Sequence, residues 1–302
     1  MNLSPAFVDN ILLAFGEDGR RWLVDLPGLI EQAAHRWDIE PEAPVGNLSY
    51  NYVAPARRGD GTECILKIGV PNRELTSEVA SLQLYAGEGA CQIYEADPEA
   101  GMFLLERLQP GTLLCAHGDD ETQTAIAAGV MKRLWKPAPA GEPFITLRGW
   151  FDELVHLRPR FDGGTGPFPT RLVETAEGLL KDLFADEITP IVLHGDCHHY
   201  NILFSGRGWL AIDPKGVIGP AEYEPAPLLL NPWDDFIRVP DAARVTARRI
   251  AILSDLLGFD RKRIHAWAVA HSVLSAWWDL TPAGTGGEYA LACGEIFLSV
   301  RV

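Results

Sequence analysis

Residues 194–203 read HGDCHHYNIL and place a carboxylate, Asp196, five residues ahead of a carboxamide, Asn201. The apolar run IVL leads into this stretch and ILF leads out of it, which predicts two short strands around a tight turn. Asp in such a turn is often there only to shape the backbone. The chemistry therefore depends on what else the chain brings to this turn.

A second carboxylate, Asp213, ends the strand-like run WLAID, and a strand pair is predicted from NILF and WLAID around the turn SGRG. This pair would gather three oxygen-bearing side chains, those of Asp196, Asn201 and Asp213. Oxygen ligands of this kind suit Mg²⁺, which binds few protein groups and keeps water and phosphate oxygens. An aspartate that is not bound to metal can orient a hydroxyl group and accept its proton.

The pattern H-G-D-x-x-x-x-N followed by a strand-borne Asp resembles the aminoglycoside phosphotransferase branch of the protein-kinase-like fold, over residues 45–279. The resemblance implies an α+β, bilobal protein-kinase-like fold with a β-rich N-terminal lobe and a mostly helical C-terminal lobe. It implies ATP-dependent transfer of the γ-phosphate, with Asp196 as catalytic base and with Asn201 and Asp213 holding Mg²⁺. His194 would brace the loop.

Two further features bear on the subgroup. The run Asp-Pro-Lys-Gly that begins at Asp213, and the later PAPLLLNP, resemble the aminoglycoside 6-phosphotransferases (streptomycin) and hydroxyurea phosphotransferases. His199 and Tyr200 stand where a Pro-Gly pair is common in the family. Gly195 replaces the arginine of the protein-kinase H-R-D motif and no A-P-E follows, which argues against a protein kinase controlled by loop phosphorylation. The pair His198-His199 is interpreted as loop or core packing, because no third imidazole or thiolate has ligand spacing.

A lysine lies within the apolar run ILKIGV, where burial without a partner would be costly. Glu74 and Glu78 follow on one face of the next predicted helix. The family pattern pairs the strand lysine with a helix glutamate, so Lys67 would contact the nucleotide phosphates and Glu78 would orient it. The alternative is a surface ion pair worth less than about 1 kcal/mol.

The remaining nucleotide contacts leave weaker traces. VGNLSYNYV lacks G-x-G-x-x-G, and a plain hairpin turn explains it equally well, but Asn47 and Ser49 could donate to phosphates. LLERLQPG reads as the connector between lobes. In this fold the connector's main-chain groups bond the adenine edge, which implies Glu106 and Leu108.

The order of predicted elements changes near residue 109. Helices are predicted around Ser4–Gly16 and Arg20–Trp37, then two strand pairs around one helix, whereas later residues are mostly helical with NILF and WLAID as the only clear strand pair. The later helices are predicted at about 119–135, 147–157, 170–185, 241–257, 260–279 and 287–300. We expect an N-terminal nucleotide-binding lobe over 1–109 and a catalytic and acceptor lobe over 110–302, with a small-molecule site between them.

Composition limits the partners. The net charge of −15 argues against nucleic acid as a partner and suits a cationic ligand, although solubility alone also explains it. Five widely spaced cysteines without CxxC, no basic run ahead of the first apolar stretch, and no long apolar segment predict a cytoplasmic protein without a membrane span. We expect a monomer or weak dimer.

The acceptor of the phosphate is the least determined part of the sequence. Acidic residues that could hold a cationic acceptor beside aromatic rings are Glu222, Glu224, Asp234 and Asp279. A streptomycin-like aminocyclitol fits the acidic charge balance, whereas hydroxyurea is small and neutral. A housekeeping kinase for a sugar or amino alcohol, and a catalytically inactive nucleotide-binding sensor, are the alternatives.

Overall fold

A computed structural model describes residues 3–141, 143–185, 189–232 and 236–302. The first part of the chain builds a five-stranded antiparallel sheet in the order β1-β2-β3-β5-β4. Its strands are β1 Ile39–Pro41, β2 Asn51–Arg58, β3 Glu63–Gly69, β4 Ile93–Asp97 and β5 Met102–Glu106. The predicted hairpin is confirmed, since β2 and β3 pair with Val53 opposite Lys67. Strand β3 therefore lies between two partners, and its lysine points from the middle of the sheet.

Two helices cover the opposite faces of this sheet. Helix α1 (Pro5–Trp37) bends at Gly16, whose φ of 56° is not helical, and the bend divides it close to where two helices were predicted. Helix α2 (Arg73–Tyr85) begins after Asn72, whose side chain accepts from the Leu75 amide. Because neighbouring strand residues face opposite sides, Leu66 and Leu104 pack with α1, and Phe103 and Leu105 pack with α2.

The second part of the chain is mostly helical, and its hydrophobic core also includes residues of α2. Its helices are α3 Asp120–Leu134, α4 Leu147–Asp152, α5 Leu157–Arg160, α6 Thr170–Leu183, α7 Ala226–Leu229, α8 Ala242–Leu257, α9 Arg261–Asp279 and α10 Glu288–Ser299. Short 3₁₀ turns span Leu114–Ala116, Glu153–His156, Ala221–Tyr223 and Phe236–Arg238. Buried aliphatic residues of α3, α6, α8, α9 and α10 form this core together with Leu75, Val79 and Phe103 of the first part.

The predicted strands IVL, NILF and WLAID and the pairing of the last two are confirmed, but the expectation of a single clear strand pair in this part is wrong. The described residues of this part form seven short strands: β6 Pro110–Leu113, β7 Lys136–Pro137, β8 Ile145–Thr146, β9 Ile191–Leu193, β10 Ile202–Ser205, β11 Gly208–Ala211 and β12 Val217–Gly219. They form one sheet in the order β11-β10-β6 and another in the order β7-β9-β12-β8. Strands of two to four residues are too short to show a period of two in sequence.

Most predicted helices of this part are confirmed, but the one at 147–157 is interrupted. It divides into α4, a 3₁₀ turn and α5. Across the described ranges, we find no helix both long and apolar enough to cross a membrane. The division of the chain at residue 109 stays a prediction.

Candidate active site

The loop between β9 and β10 is held by a buried histidine. The His194 ring is fully buried, and its Nε2 lies 2.8 Å from the Ile212 carbonyl oxygen while Nδ1 lies 3.2 Å from the Asp196 amide nitrogen. Burial lowers the pKa of His194 to about 4, so the ring is neutral: Nε2–H donates to Ile212 and Nδ1 accepts from Asp196. His194 thus ties the loop to the chain just before Asp213.

Glu224 braces the same loop from beneath. Its two carboxylate oxygens accept the main-chain amides of His194 at 2.8 Å and Gly195 at 2.9 Å. The residue is fully buried, and burial raises its pKa to about 7 despite these two hydrogen bonds. Glu224 was considered as an acceptor ligand, but the structure places it under the loop and not in a cavity.

Asp196 and Asn201 are joined by the Asn201 side chain. Its Nδ2 donates to the Asp196 carbonyl oxygen at 2.9 Å and to Asp196 Oδ2 at 3.2 Å. His198 Nε2 lies 3.3 Å from Asp196 Oδ1. Burial opposes ionisation of Asp196, but the neighbouring His198 and Lys215 outweigh it and lower its pKa to about 2. The carboxylate is therefore ionised at neutral pH.

Lys67 links the sheet to this loop region. Its Nζ lies 2.6 Å from Glu78 Oε1 on α2 and 3.1 Å from Asp213 Oδ1, and its side chain is only 4% exposed. Burial would lower the pKa of Lys67, but Asp213 and Glu78 hold it above its usual value. Asp213 adopts the left-handed conformation, with φ 57°. The structure thus brings the buried Lys67 and Glu78 together with Asp213, whose side chain is 48% exposed.

The oxygen atoms available to a metal ion are few. No cluster of three or more His, Cys, Asp or Glu suited to a metal occurs in the part of the chain that the structure describes. Asn201 uses its nitrogen toward Asp196, so its Oδ1 stays available, and Asp213 keeps one carboxylate oxygen away from Lys67. Such a sparse set of oxygen donors fits Mg²⁺, which binds one or two carboxylates together with phosphates and water.

Three adjoining cavities meet at these residues. The connector cavity, about 650 Å³, has apolar walls that include Val53, Ile65, Leu105, Leu203 and Ile212. The central cavity, about 740 Å³, is lined by Lys67, Glu78, Asp196, Asn201, Asp213 and Lys215. The helical cavity, about 320 Å³, is lined by Trp150, Asp196, Lys215, His271, Ser275, Trp278 and Asp279. Asp196 and Lys215 belong to both the central and the helical cavity.

Four residues expected at the nucleotide line the connector cavity: Asn47, Ser49, Glu106 and Leu108. The Glu106 amide already donates to the Gln92 carbonyl oxygen at 2.8 Å, and its carboxylate is held by Arg207. The main-chain N–H and C=O of Leu108 have no hydrogen-bond partner among the described residues. The main-chain groups of Leu108 are therefore more available to a ligand in this cavity than the amide of Glu106.

The other acidic residues expected at the acceptor lie in different places. Asp279 lines the helical cavity beside Trp278. Glu222 lies 3.4 Å from Arg263 Nε and lines none of the three cavities. Asp234 lies outside the described residues.

Sequence reasoning missed most residues of the helical cavity, among them Lys215, Trp150 and His271. Lys215 belongs to the quoted Asp-Pro-Lys-Gly run, which was a signal for its position. Trp150 and His271 had no such signal, because isolated aromatic residues in helices are usually core.

The fold, the contact between Lys67 and Asp213 and the contact between Asn201 and Asp196 are those of a protein-kinase-like phosphotransferase. A family model described as aminoglycoside/hydroxyurea antibiotic resistance kinase matches residues 36–282. The chain belongs to this family, and it is a kinase that acts on small molecules.

Curated relatives agree with the family. Streptomycin 6-kinase of Streptomyces glaucescens is 32% identical over 273 residues, covering 88% of this chain and 87% of the relative. Hydroxyurea phosphotransferase of Kitasatospora aureofaciens is 31% identical over 304 residues, covering 97% and 83%. The crystal structure of choline kinase LicA from Streptococcus pneumoniae matches with a TM-score of 0.63 at 16% identity, covering 91% of this chain and 98% of that one. The expected bilobal kinase-like fold is confirmed.

Proposed function

We propose that this protein transfers the γ-phosphate of ATP to a hydroxyl group of a cationic aminocyclitol of the streptomycin type. The observation that carries this proposal is the helical cavity, where the Asp196 carboxylate opens onto two tryptophans and the Asp279 carboxylate. The names of the relatives, a streptomycin 6-kinase and a hydroxyurea phosphotransferase, support the same reaction class.

The connector and central cavities suit ATP. Apolar side chains such as Val53 and Leu203 would enclose the adenine ring, while the main chain of Leu108 would bond its edge. Asn47 and Ser49 lie at the same cavity and would donate to phosphate oxygens. Lys67, held by Glu78, would bind the phosphates nearer the ring.

Asn201 and Asp213 would hold Mg²⁺, which supplies positive charge to the phosphate oxygens when bound. Asp196 would orient the acceptor hydroxyl and take its proton. A carboxylate with a pKa of about 2 is a weak base. Phosphoryl transfer needs little base strength before the P–O bond has loosened, so positioning is the larger part of this role.

The helical cavity suits a cationic, ring-shaped acceptor. Trp150 and Trp278 meet edge to face with ring centroids 5.0 Å apart, and they form one wall. Asp279, an exposed residue that lines the cavity, can pair with a guanidinium, which also stacks on indole rings. Hydroxyurea would fill only a small part of about 320 Å³ and, being neutral, would need neither a charged partner nor the indole wall.

His271 would recognise a neutral oxygen of the acceptor. Its Nδ1 lies 2.9 Å from the hydroxyl of the fully buried Tyr223. No other described group bonds this hydroxyl, so the tautomer that satisfies both groups is the one in which the Tyr223 O–H donates a hydrogen bond to His271 Nδ1. The other nitrogen, Nε2, then carries hydrogen and is a donor at the cavity that His271 lines.

A panel of acceptors tests the proposal. ATP consumption and product mass are measured with streptomycin, hydroxyurea and simple amino alcohols. We expect a phosphate adduct of streptomycin. Asp196→Asn should lower turnover by about 10²-fold or more while ATP binding by calorimetry persists, and Asp255→Asn, at a surface ion pair, should change neither. Phosphorylation of hydroxyurea but not streptomycin would refute the acceptor, and ATP binding without any phosphorylated product would favour a sensor.

A further inference from the structure

Lys215 lies where the central and helical cavities join. Both cavities are lined by Tyr50, Glu74, Asp196, His198 and Lys215. Of these five shared residues, Lys215 carries the side chain that stays positively charged at neutral pH. Its position beside Asp196 places a cation between the proposed phosphate donor and the proposed acceptor.

The backbone of Lys215 is fixed on both sides. Its amide donates to the His194 carbonyl oxygen at 2.7 Å, which ties it to the loop that carries Asp196. The next residue, Gly216, accepts at its carbonyl oxygen from Ser77 Oγ of α2 at 2.6 Å. The backbone at Lys215 is therefore held in place both by the loop that carries Asp196 and by α2.

The side chain of Lys215, in contrast, is loosely held. Its Nζ lies 3.8 Å from Glu74 Oε2, and the two side chains are 42% and 58% exposed. An exposed pair at this distance contributes little to stability, so a phosphoryl group can readily replace Glu74 as the partner. Lys67 cannot move in this way, because it is buried against Glu78 and Asp213.

We propose that Lys215 is a catalytic residue that contacts the γ-phosphoryl group during its transfer. This inference depends on the proposed function. The acceptor oxygen forms a bond to phosphorus as the bond from phosphorus to the β,γ-bridging oxygen breaks. The electron pair of that bond stays on ADP, and the acceptor proton passes to Asp196.

Lys215 would stabilise this step by its charge. The negative charge of the transferred group is spread over its three outer oxygens, and a fixed or recruited cation near them lowers the barrier. The ammonium of Lys215 would bind these oxygens on the side of the acceptor, whereas Lys67 binds on the side of the nucleotide. The contact is stronger in the transition state than with ATP alone, so it acts on kcat.

Binding of a transition-state mimic tests the contact without any acceptor. Calorimetry compares the affinity for ADP with that for ADP plus aluminium fluoride, both with magnesium, in the wild type, Lys215→Met and Lys215→Arg. We expect Lys215→Met to keep the ADP affinity within about threefold and to lose about 10²-fold in affinity for the mimic, in line with the effect of a transition-state cation on rate. Lys215→Arg should recover part of the loss. Lys136→Met, at an ion pair with Glu88 away from the cavities, is the matched control.

The kinetic result separates the possible roles. We expect Lys215→Met to lower kcat about 10²-fold with the KM of the acceptor nearly unchanged. Equal binding of the mimic by wild type and Lys215→Met would overturn the inference, as would a rise in the acceptor KM alone. Failure of the wild type to phosphorylate any acceptor would refute the proposed function instead, while the mimic still tests Lys215.

Discussion

At the scale of single residues, one buried cation connects the two parts of the chain. Lys67 comes from the sheet, Glu78 from α2, and Asp213 from the chain after β11. A lysine that is 4% exposed would be costly alone, and the two carboxylates compensate for its loss of water. The group is consequently sensitive to the removal of any one charge.

Replacing Glu78 by Gln tests this dependence. The change keeps the shape of the side chain but removes one charge beside Lys67, so we expect the free energy of unfolding to fall by about 1–3 kcal/mol and the KM of ATP to rise. Chemical unfolding and steady-state kinetics measure the two effects. Glu17→Gln removes an exposed partner of Arg20 and should change stability by less than about 0.5 kcal/mol. Equal effects of the two variants would contradict the assigned importance of burial.

Local patterns made some site residues predictable and hid others. Asp196 and Asn201 lie within one turn, so the sequence predicted that these two side chains lie close together. The family resemblance implied that Lys67, which interrupts an apolar strand, pairs with Glu78; the catalytic roles stay predictions. Glu224 was misplaced because an acid thirty residues from its partner amides looks like any solvated acid. Its use as a brace depends on a contact between distant segments.

At the scale of elements, close packing of α2 on the Asp-Pro-Lys-Gly segment sets the position of Lys215. Gly216 has φ +65°, and a Cβ atom there would overlap Ser81 Oγ and the Ser77 carbonyl oxygen. The glycine is therefore required both by its conformation and by its neighbours.

Gly216→Ala should disturb this packing. We expect a loss of about 2 kcal/mol or more in unfolding free energy, together with weaker ATP binding, because the segment carries Asp213, which would hold Mg²⁺ with the nucleotide. Thermal unfolding and calorimetry measure both. Gly206→Ala is the control. It lies in the turn between β10 and β11, where an added Cβ atom would meet no other residue within 4 Å, so the unfolding free energy should hardly change. An unchanged melting temperature for Gly216→Ala would contradict the packing argument.

Element prediction succeeded where periodicity had room to appear. Helices such as α9, with 19 residues, repeat their apolar positions several times. Strands β7 and β8 have two residues each and depend on pairing with distant partners, so nothing local marks them. The interrupted helix at 147–157 contains no proline or glycine at its break, and its division was likewise not visible in sequence.

At the scale of the whole molecule, buried ionisable groups couple folding to pH. Burial lowers the pKa of both His194 and His271 to about 4, from 6.5 when solvated. Between pH 6.5 and 4 the unfolded chain binds protons that the native protein does not, so each ring makes stability fall as the pH drops through this window. Each contributes up to about 3 kcal/mol.

Glu224 acts in the opposite direction. Burial raises its pKa to about 7 from 4.5, so the native protein holds a proton that the unfolded chain releases between these values. Its contribution to stability is complete below pH 4.5 and is lost as the pH rises through 7. With His199, whose pKa burial lowers to about 2, three histidines oppose it, so the net stability should fall on acidification below pH 6.5.

Urea unfolding between pH 4.5 and 7.5 measures this balance. His271→Gln retains a partner for Tyr223 and should make the pH dependence shallower by about one proton. Glu224→Gln should make it steeper, because the opposing group is removed. Slopes that stay the same in both variants would show that these groups do not titrate as their burial requires.

The hydrogen bonds that Glu224 accepts from the amides of His194 and Gly195 have a consequence for each catalytic cycle. The loop backbone is oriented when the chain folds, before any ligand arrives. In the proposed role of Asp196, little rearrangement of this residue would be needed when the acceptor enters, and the free energy of acceptor binding would remain available for bringing the hydroxyl into line with the phosphorus atom.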